Sequence, residues 1–171
     1  MRSTILSIQI FLLSALLSLT LTGCSGDDNP ARGNDNPHHI EAIGVRILDV
    51  SQTLLVEADG TEVTGSITLD RDGDTGFLTV HFLHPDTGEW YDPEELEEEH
   101  EAGGEESHEL VVTVGSTEIA TATHGEEIEG APTHWGFRLN GVAAGATTIR
   151  IEIYHEDHPD YTSPLIPVTV R

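Results

Sequence analysis

An all-β sandwich is the fold class this chain predicts, and three observations predict it. From residue 43 onward, apolar and polar side chains alternate in short runs, as in strands with one buried face. Turns rich in Gly, Asp, Asn and Pro separate those runs at short spacing. Between residues 40 and 171, only one short acidic segment reads as helical.

The elements follow in order. Residues 43–48 alternate through Ile43, Val45 and Ile47, and 54–57 form a second short run. Asp59-Gly60 makes a hairpin turn into a strand over 63–69, marked by Val63, Ile67 and Leu69. Asp70-Arg71-Asp72-Gly73-Asp74 has the look of half a calcium loop. The glutamate needed at its twelfth position is absent, since His81 falls there, and strands flank the segment, so it reads as a polar turn. Residues 76–84 form a strand with Leu78, Val80 and Phe82 on one face and Thr79 and His81 on the other.

An acidic insert then occupies 91–109, with ten acidic residues, His100 and His108, and no arginine or lysine. Like charges at that density keep a segment solvated and open. Its start has a helix signature, with Asp92 at the N-cap, Pro93 at the first helical position and Glu95 three residues past the cap. Two helical turns over 94–101 would place Glu97, His100 and Glu101 on one face, and Gly103-Gly104 ends them. Strands return at 110–114, 119–124, 134–139, 147–154 and 164–170. Trp135, Phe137 and Leu139 point inward, as do Ile149, Ile151 and Ile153.

Two segments of this half carry a resemblance. Leu139-Asn140-Gly141-Val142-Ala143-Ala144-Gly145-Ala146-Thr147 resembles the G-x-x-x-G-x-T turn of bacterial Ig-like domains of the second group. Ser116-Thr117-Glu118-Ile119-Ala120 resembles their S-x-x-x-A segment. The likeness spans about residues 108–171 and implies an Ig-like β-sandwich used for spacing, adhesion and binding rather than catalysis. The acidic insert just upstream and His155-Glu156-Asp157-His158 depart from that pattern. Nine or so short strands agree with a sandwich of this type.

Residues 1–23 read as an export signal, with Arg2 ahead of an apolar run over 5–21. Leu21-Thr22-Gly23-Cys24 resembles the lipobox of bacterial lipoproteins at every position. The resemblance implies that Cys24 carries lipid on sulfur and becomes the mature N-terminus. Ser25 in the following position implies the outer membrane, and Asp27-Asp28 faintly resembles a surface-export signal, leaving the leaflet open. Cys24 is the only cysteine, so its lipidation excludes disulfides, cysteine-ligated zinc and cysteine nucleophiles. Residues 24–39, rich in Gly, Pro, Asn and Asp, read as a disordered tether, and His38-His39 as incidental to it. Residues 40–171 are long enough for one domain with its own core.

Charge narrows the partners. Seven arginines and no lysine face 31 acidic residues, for a formal net charge of −24, and no cation occurs between Arg71 and Arg138. Nucleic acid and anionic membrane surfaces are repelled by that field, whereas cations and basic proteins are attracted. Simple solubility, or adaptation to salt, explains the same charge.

Three histidine groups bear on chemistry. His81 and His84 flank a strand end, His100 and His108 lie with Glu97 and Glu101 in the insert, and His155 and His158 bracket Glu156-Asp157. His124 and His134 bound the adjoining hairpin. Imidazoles and carboxylates suit zinc first, then copper(II) or nickel(II). The bland readings stand beside these: His81 as a surface residue, His155 as a satisfied, half-buried histidine sharing parity with the buried isoleucines, and His155–His158 as a turn. No nucleophile elbow, phosphate loop or HExxH occurs, and Glu97-x-x-His100 is too short to be specific, so the chain does not read as an enzyme. The expected function is that of an envelope-anchored lipoprotein binding a transition metal, zinc favoured, for capture or delivery beside a metal transporter or other envelope protein. The expected ligands are His100, His108, His155 and His158, with His81, His84 and Glu97 in reserve. Such binding weakens as pH falls through about 6.5, because the ligands must be neutral imidazoles. The alternative is an Ig-like structural or protein-interaction module without metal.

Overall fold

The computed structural model describes residues 40–94 and 108–171, which fall in one compact unit, Asn36–Arg171. The expected signal and tether, with Cys24, and also Glu97 and His100 lie outside the described residues. Of the expected helix, Pro93 and Glu94 are helical, and the Asp92 carboxylate accepts the Glu94 N–H at 3.1 Å. The remainder of that helix also lies outside the described residues. Among those that are described, no helix is long and apolar enough to cross a membrane.

Twelve described strands form two sheets. The first sheet runs β3 (Glu62–Gly65), β2 (Leu54–Asp59), β1 (Gly44–Leu48), β5 (Leu78–Leu83), β9 (Gly136–Gly141), β8 (Ala120–His124), with β6 (Trp90–Tyr91) also paired to β5. The second is built around β10 (Gly145–His155). One edge of β10 carries β12 (Ile166–Val170) and then β11 (His158–Thr162), and its other edge carries β7 (His108–Val114); β4 (Ile67–Leu69) runs parallel to β12. The all-β sandwich expected from the alternation is the fold observed.

Inward positions follow the period-2 pattern. Val45, Ile47, Leu78, Phe82, Trp135, Phe137, Leu139, Ile149, Ile151 and Ile153 are all fully buried. Phe82 sits at the centre of the aromatic packing, edge-on to Trp135 at 6.3 Å and to Tyr161 at 5.5 Å. Ile43, expected inward, is half exposed because β1 starts after it.

Where the chain departs from expectation, backbone geometry explains it. The run over 63–69 is two strands in different sheets, not one. Gly65 takes φ +90°, and a Cβ there would lie 2.1 Å from the Leu55 carbonyl oxygen, so the chain can leave β3 and cross to β4 only at a glycine. Two strands were not anticipated, β6 and β11, one too short for a period and the other containing Pro159. The aspartate-rich turn is a turn, closed by the Gly73 N–H on the Asp70 carbonyl at 3.1 Å, with Asp72 at φ 61°.

Side chains close the other joints. The Asp49 carboxylate accepts the N–H groups of Ser51 and Thr53 between β1 and β2; the Thr53 bond, first, holds its pKa below the ordinary value. Ser163, buried between β11 and β12, accepts the Ile151 N–H at 2.9 Å and donates to the Pro164 carbonyl at 2.9 Å, satisfying its hydroxyl in both senses. The two segments that resemble the Ig-like motifs meet in space: Thr147 Oγ1 accepts the Ser116 N–H at 2.9 Å, and the Val142 and Ala143 N–H groups bond the Ile119 carbonyl.

Tyr91 and Tyr161 give the fold an alkaline limit. Burial pushes both phenols above their ordinary pKa, with Glu41 adding for Tyr91 and Asp59 for Tyr161. Because the folded pKa values exceed the unfolded ones, this stabilisation is complete below about pH 10 and declines as pH rises beyond it. Alkaline difference spectra should therefore show two of the three tyrosines ionising only above the ordinary phenol range. Phenolate from all three near pH 10 in folded protein would contradict the burial.

Candidate functional site

At one end of the second sheet, register pairing lines up three histidines. His155, the last residue of β10, pairs with His108, the first of β7, and on its other edge with His158, the first of β11. The β10–β11 hairpin turns through Glu156-Asp157, with Glu156 at φ 54°. His155 keeps the parity of Ile149, Ile151 and Ile153, which carries it inward to 4% exposure. Directly paired residues share a face, so His108 and His158 join it. The rings of His108 and His155 stack with centroids 4.8 Å apart and planes at 22°, and His158 stands edge-on to His155 at 5.7 Å.

The carboxylate sits at a bulge. Ile153 pairs with Tyr161 and Tyr154 with Pro159, so Asp160 is the extra residue on β11. Strict alternation would send Asp160 and Tyr161 to opposite faces. Asp160, two residues past His158, keeps to the histidine row with its side chain 4% exposed, and the extra residue lets Tyr161 reach the core as well. Asp160 Oδ2 lies 3.7 Å from His108 Nε2, and Oδ1 lies 3.5 Å from His158 Nε2. Oδ2 also accepts the Ile40 N–H at 3.2 Å. His158 is the open member, its side chain 48% exposed and its Nδ1 3.4 Å from Asp157 Oδ1.

Among the described residues, His108, His155 and Asp160 are the group whose ligand atoms converge, all within 4.8 Å of one another. Tetrahedral zinc with nitrogen and oxygen donors holds its ligand atoms about 3.3 Å apart. Side-chain rotations that shorten the longest separation by about 1.5 Å would therefore bring the three onto one ion. His158, at the mouth, is the nearest further imidazole.

The expected ligands divide accordingly. His108 and His155 converge, and His158 adjoins them. His81 and His84 belong to no such group among the described residues, and each has another setting. His81 is the register partner of Arg46, whose guanidinium lies 4.0 Å from the Trp90 ring centroid and pairs with Glu57 at 2.6 Å; a fixed positive charge there disfavours a second cation. His84 Nδ1 accepts the N–H groups of Asp86 and Thr87 at 3.1 and 3.4 Å, which ties the imidazole into its own turn. His124 caps the short 3-10 turn Gly125–Glu127, and His134 packs beside Trp135 at 5.2 Å. Asp160 was not anticipated. Its spacing, two residues beyond His158, was the available signal, but Pro159 made the segment read as a turn.

Comparison with known proteins adds little. No family model matches the chain, and no curated protein matches it. Among solved structures, the crystal structure of the S-layer protein SbsC domains 4 and 5 is similar at 19% identity and a TM-score of 0.35, over 63% of this chain. The match spans 47% of that chain, about half its length. The reading of the site therefore rests on its own residues.

Proposed function

We propose that this chain is an envelope lipoprotein, held to the outer membrane through lipid on Cys24, whose β-sandwich domain binds a divalent transition-metal ion for capture or delivery. Zinc is the first choice, then copper(II) or nickel(II). His108, His155 and Asp160 are the ligands, with His158 positioned to complete or guard the set. The observation carrying this reading is the convergence of two paired-strand histidines and one nearly buried aspartate within 4.8 Å. Two imidazoles and a carboxylate are a donor set that zinc takes readily, and three protein ligands leave a position open for exchange. The net charge of −24 concentrates cations near the domain and repels nucleic acid. No catalytic role is proposed.

Calorimetric titration of the chain from Ser25 onward with zinc, copper(II), nickel and calcium tests this. One tight site per chain for a transition metal, untouched by calcium, is the expected result. Weak, multiple and salt-sensitive heats for every cation would mean that the histidine–aspartate cluster serves only to close that end of the sandwich. The chain would then be better read as an interaction module.

A further inference from the structure

Asp160 faces two ways, toward the histidines and toward the start of the domain. Its Oδ2 accepts the Ile40 N–H at 3.2 Å across 120 residues of sequence. Ile40 is the first described residue, is 3% exposed and belongs to the hydrophobic core. Further bonds seat the segment behind it: Tyr91 Oη donates to the Glu41 carbonyl at 3.0 Å, and the Ile43 N–H to the Leu83 carbonyl at 2.9 Å. Ile40 adjoins the stretch that the sequence assigns to the tether.

We infer that ion binding at His108, His155 and Asp160 latches the N-terminal entry of the sandwich through the Ile40–Asp160 hydrogen bond. This rests on the metal reading above. Oδ2, the oxygen beside His108, carries two lone pairs, so it can accept the Ile40 N–H and meet the ion at once. Hydrogen bonds to a ligating carboxylate orient it for the metal, and their loss weakens metal affinity by about 10–100-fold. The ion in turn fixes the carboxylate in the orientation that receives Ile40. Each event favours the other by the same factor, because coupling between two equilibria is reciprocal. An occupied domain thus holds its entry segment more firmly than an empty one. For a tethered carrier, the metal state is thereby passed to the point where the tether meets the domain.

Two measurements on the full chain in detergent test the latch. Amide exchange with and without zinc should show the Ile40 N–H exchanging about tenfold more slowly when zinc is bound. Ile40→Pro, which removes the N–H and keeps an apolar side chain, should weaken zinc by about tenfold. Ile40→Ala, which keeps the N–H and loses buried surface, should leave zinc affinity within about threefold of the starting value. Should Ile40→Pro fail to fold, the exchange measurement on the unmodified chain decides alone. Zinc bound at one site with Ile40 exchange unchanged would overturn the latch and leave the metal reading intact. Absence of a zinc site in the unmodified chain would overturn both.

Discussion

Replacing His155 by alanine should raise the zinc dissociation constant by at least about two orders of magnitude, since even orienting groups around a metal are worth about 10–100-fold. His155 is central because it is paired on both sides. It stacks on His108, meets His158 edge-on, and is the more buried of the two converging histidines. Its loss removes a donor and also the surface that holds the His108 ring. His155→Phe separates the two effects, since it keeps a planar ring in the row and offers no lone pair. The phenylalanine variant should fold and fail to bind. The clearest readout is thermal: zinc at about a hundred times its dissociation constant adds about 2.7 kcal/mol to the folded state. That increment should appear in the unmodified protein and vanish in both variants. It should persist in His81→Ala and His84→Ala, which alter an arginine-flanked face and a turn. Undiminished zinc stabilisation in His155→Phe would remove His155 from the ligand set and the proposal with it.

The second large effect is expected at Gly65, where the chain changes sheets. Alanine there meets two obstacles together. The backbone is at φ +90°, outside the usual range of L side chains, and the new Cβ would sit 2.1 Å from a backbone oxygen, that of Leu55, which cannot rotate away. Left-handed strain of about 1–2 kcal/mol and overpacking of about 1–3 kcal/mol together suggest a loss of about 2–5 kcal/mol, a large part of a small domain's stability. Gly60 is the matched control: it has φ +56° but nothing within 4 Å of where a Cβ would lie, so alanine there meets only the conformational cost, about 1 kcal/mol. Urea denaturation of the two variants should separate them clearly. Equal losses would mean that the crossing between β3 and β4 adjusts more freely than its geometry indicates.

Much of the fold was legible because its signal is local. A strand with one buried face repeats every two residues, so Leu78, Val80 and Phe82, or Ile149, Ile151 and Ile153, declare their inward face without knowledge of their partners. Turn chemistry is equally local: Asp59-Gly60 and the aspartate-rich turn after Leu69 were readable from residue type. The same parity announced that His155 would lie inward. The strand over 63–69 was misread for the same reason: apolar spacing carries on across Gly65 although the chain does not stay in one sheet.

By itself the sequence determined the sandwich class, most of the inward residues, a strongly acidic character, and a short set of histidines worth testing. Tertiary structure alone decided which of them meet. His108 and His155 lie far apart along the chain and become neighbours only through the register of β7 on β10. Asp160 shares that face with His158, and the extra residue in β11 lets Tyr161 turn inward beside it. Register and bulges are set by long-range pairing against a shared core, where a shift of one residue moves every side chain to the other face. Residue spacing along the chain carries no record of that choice.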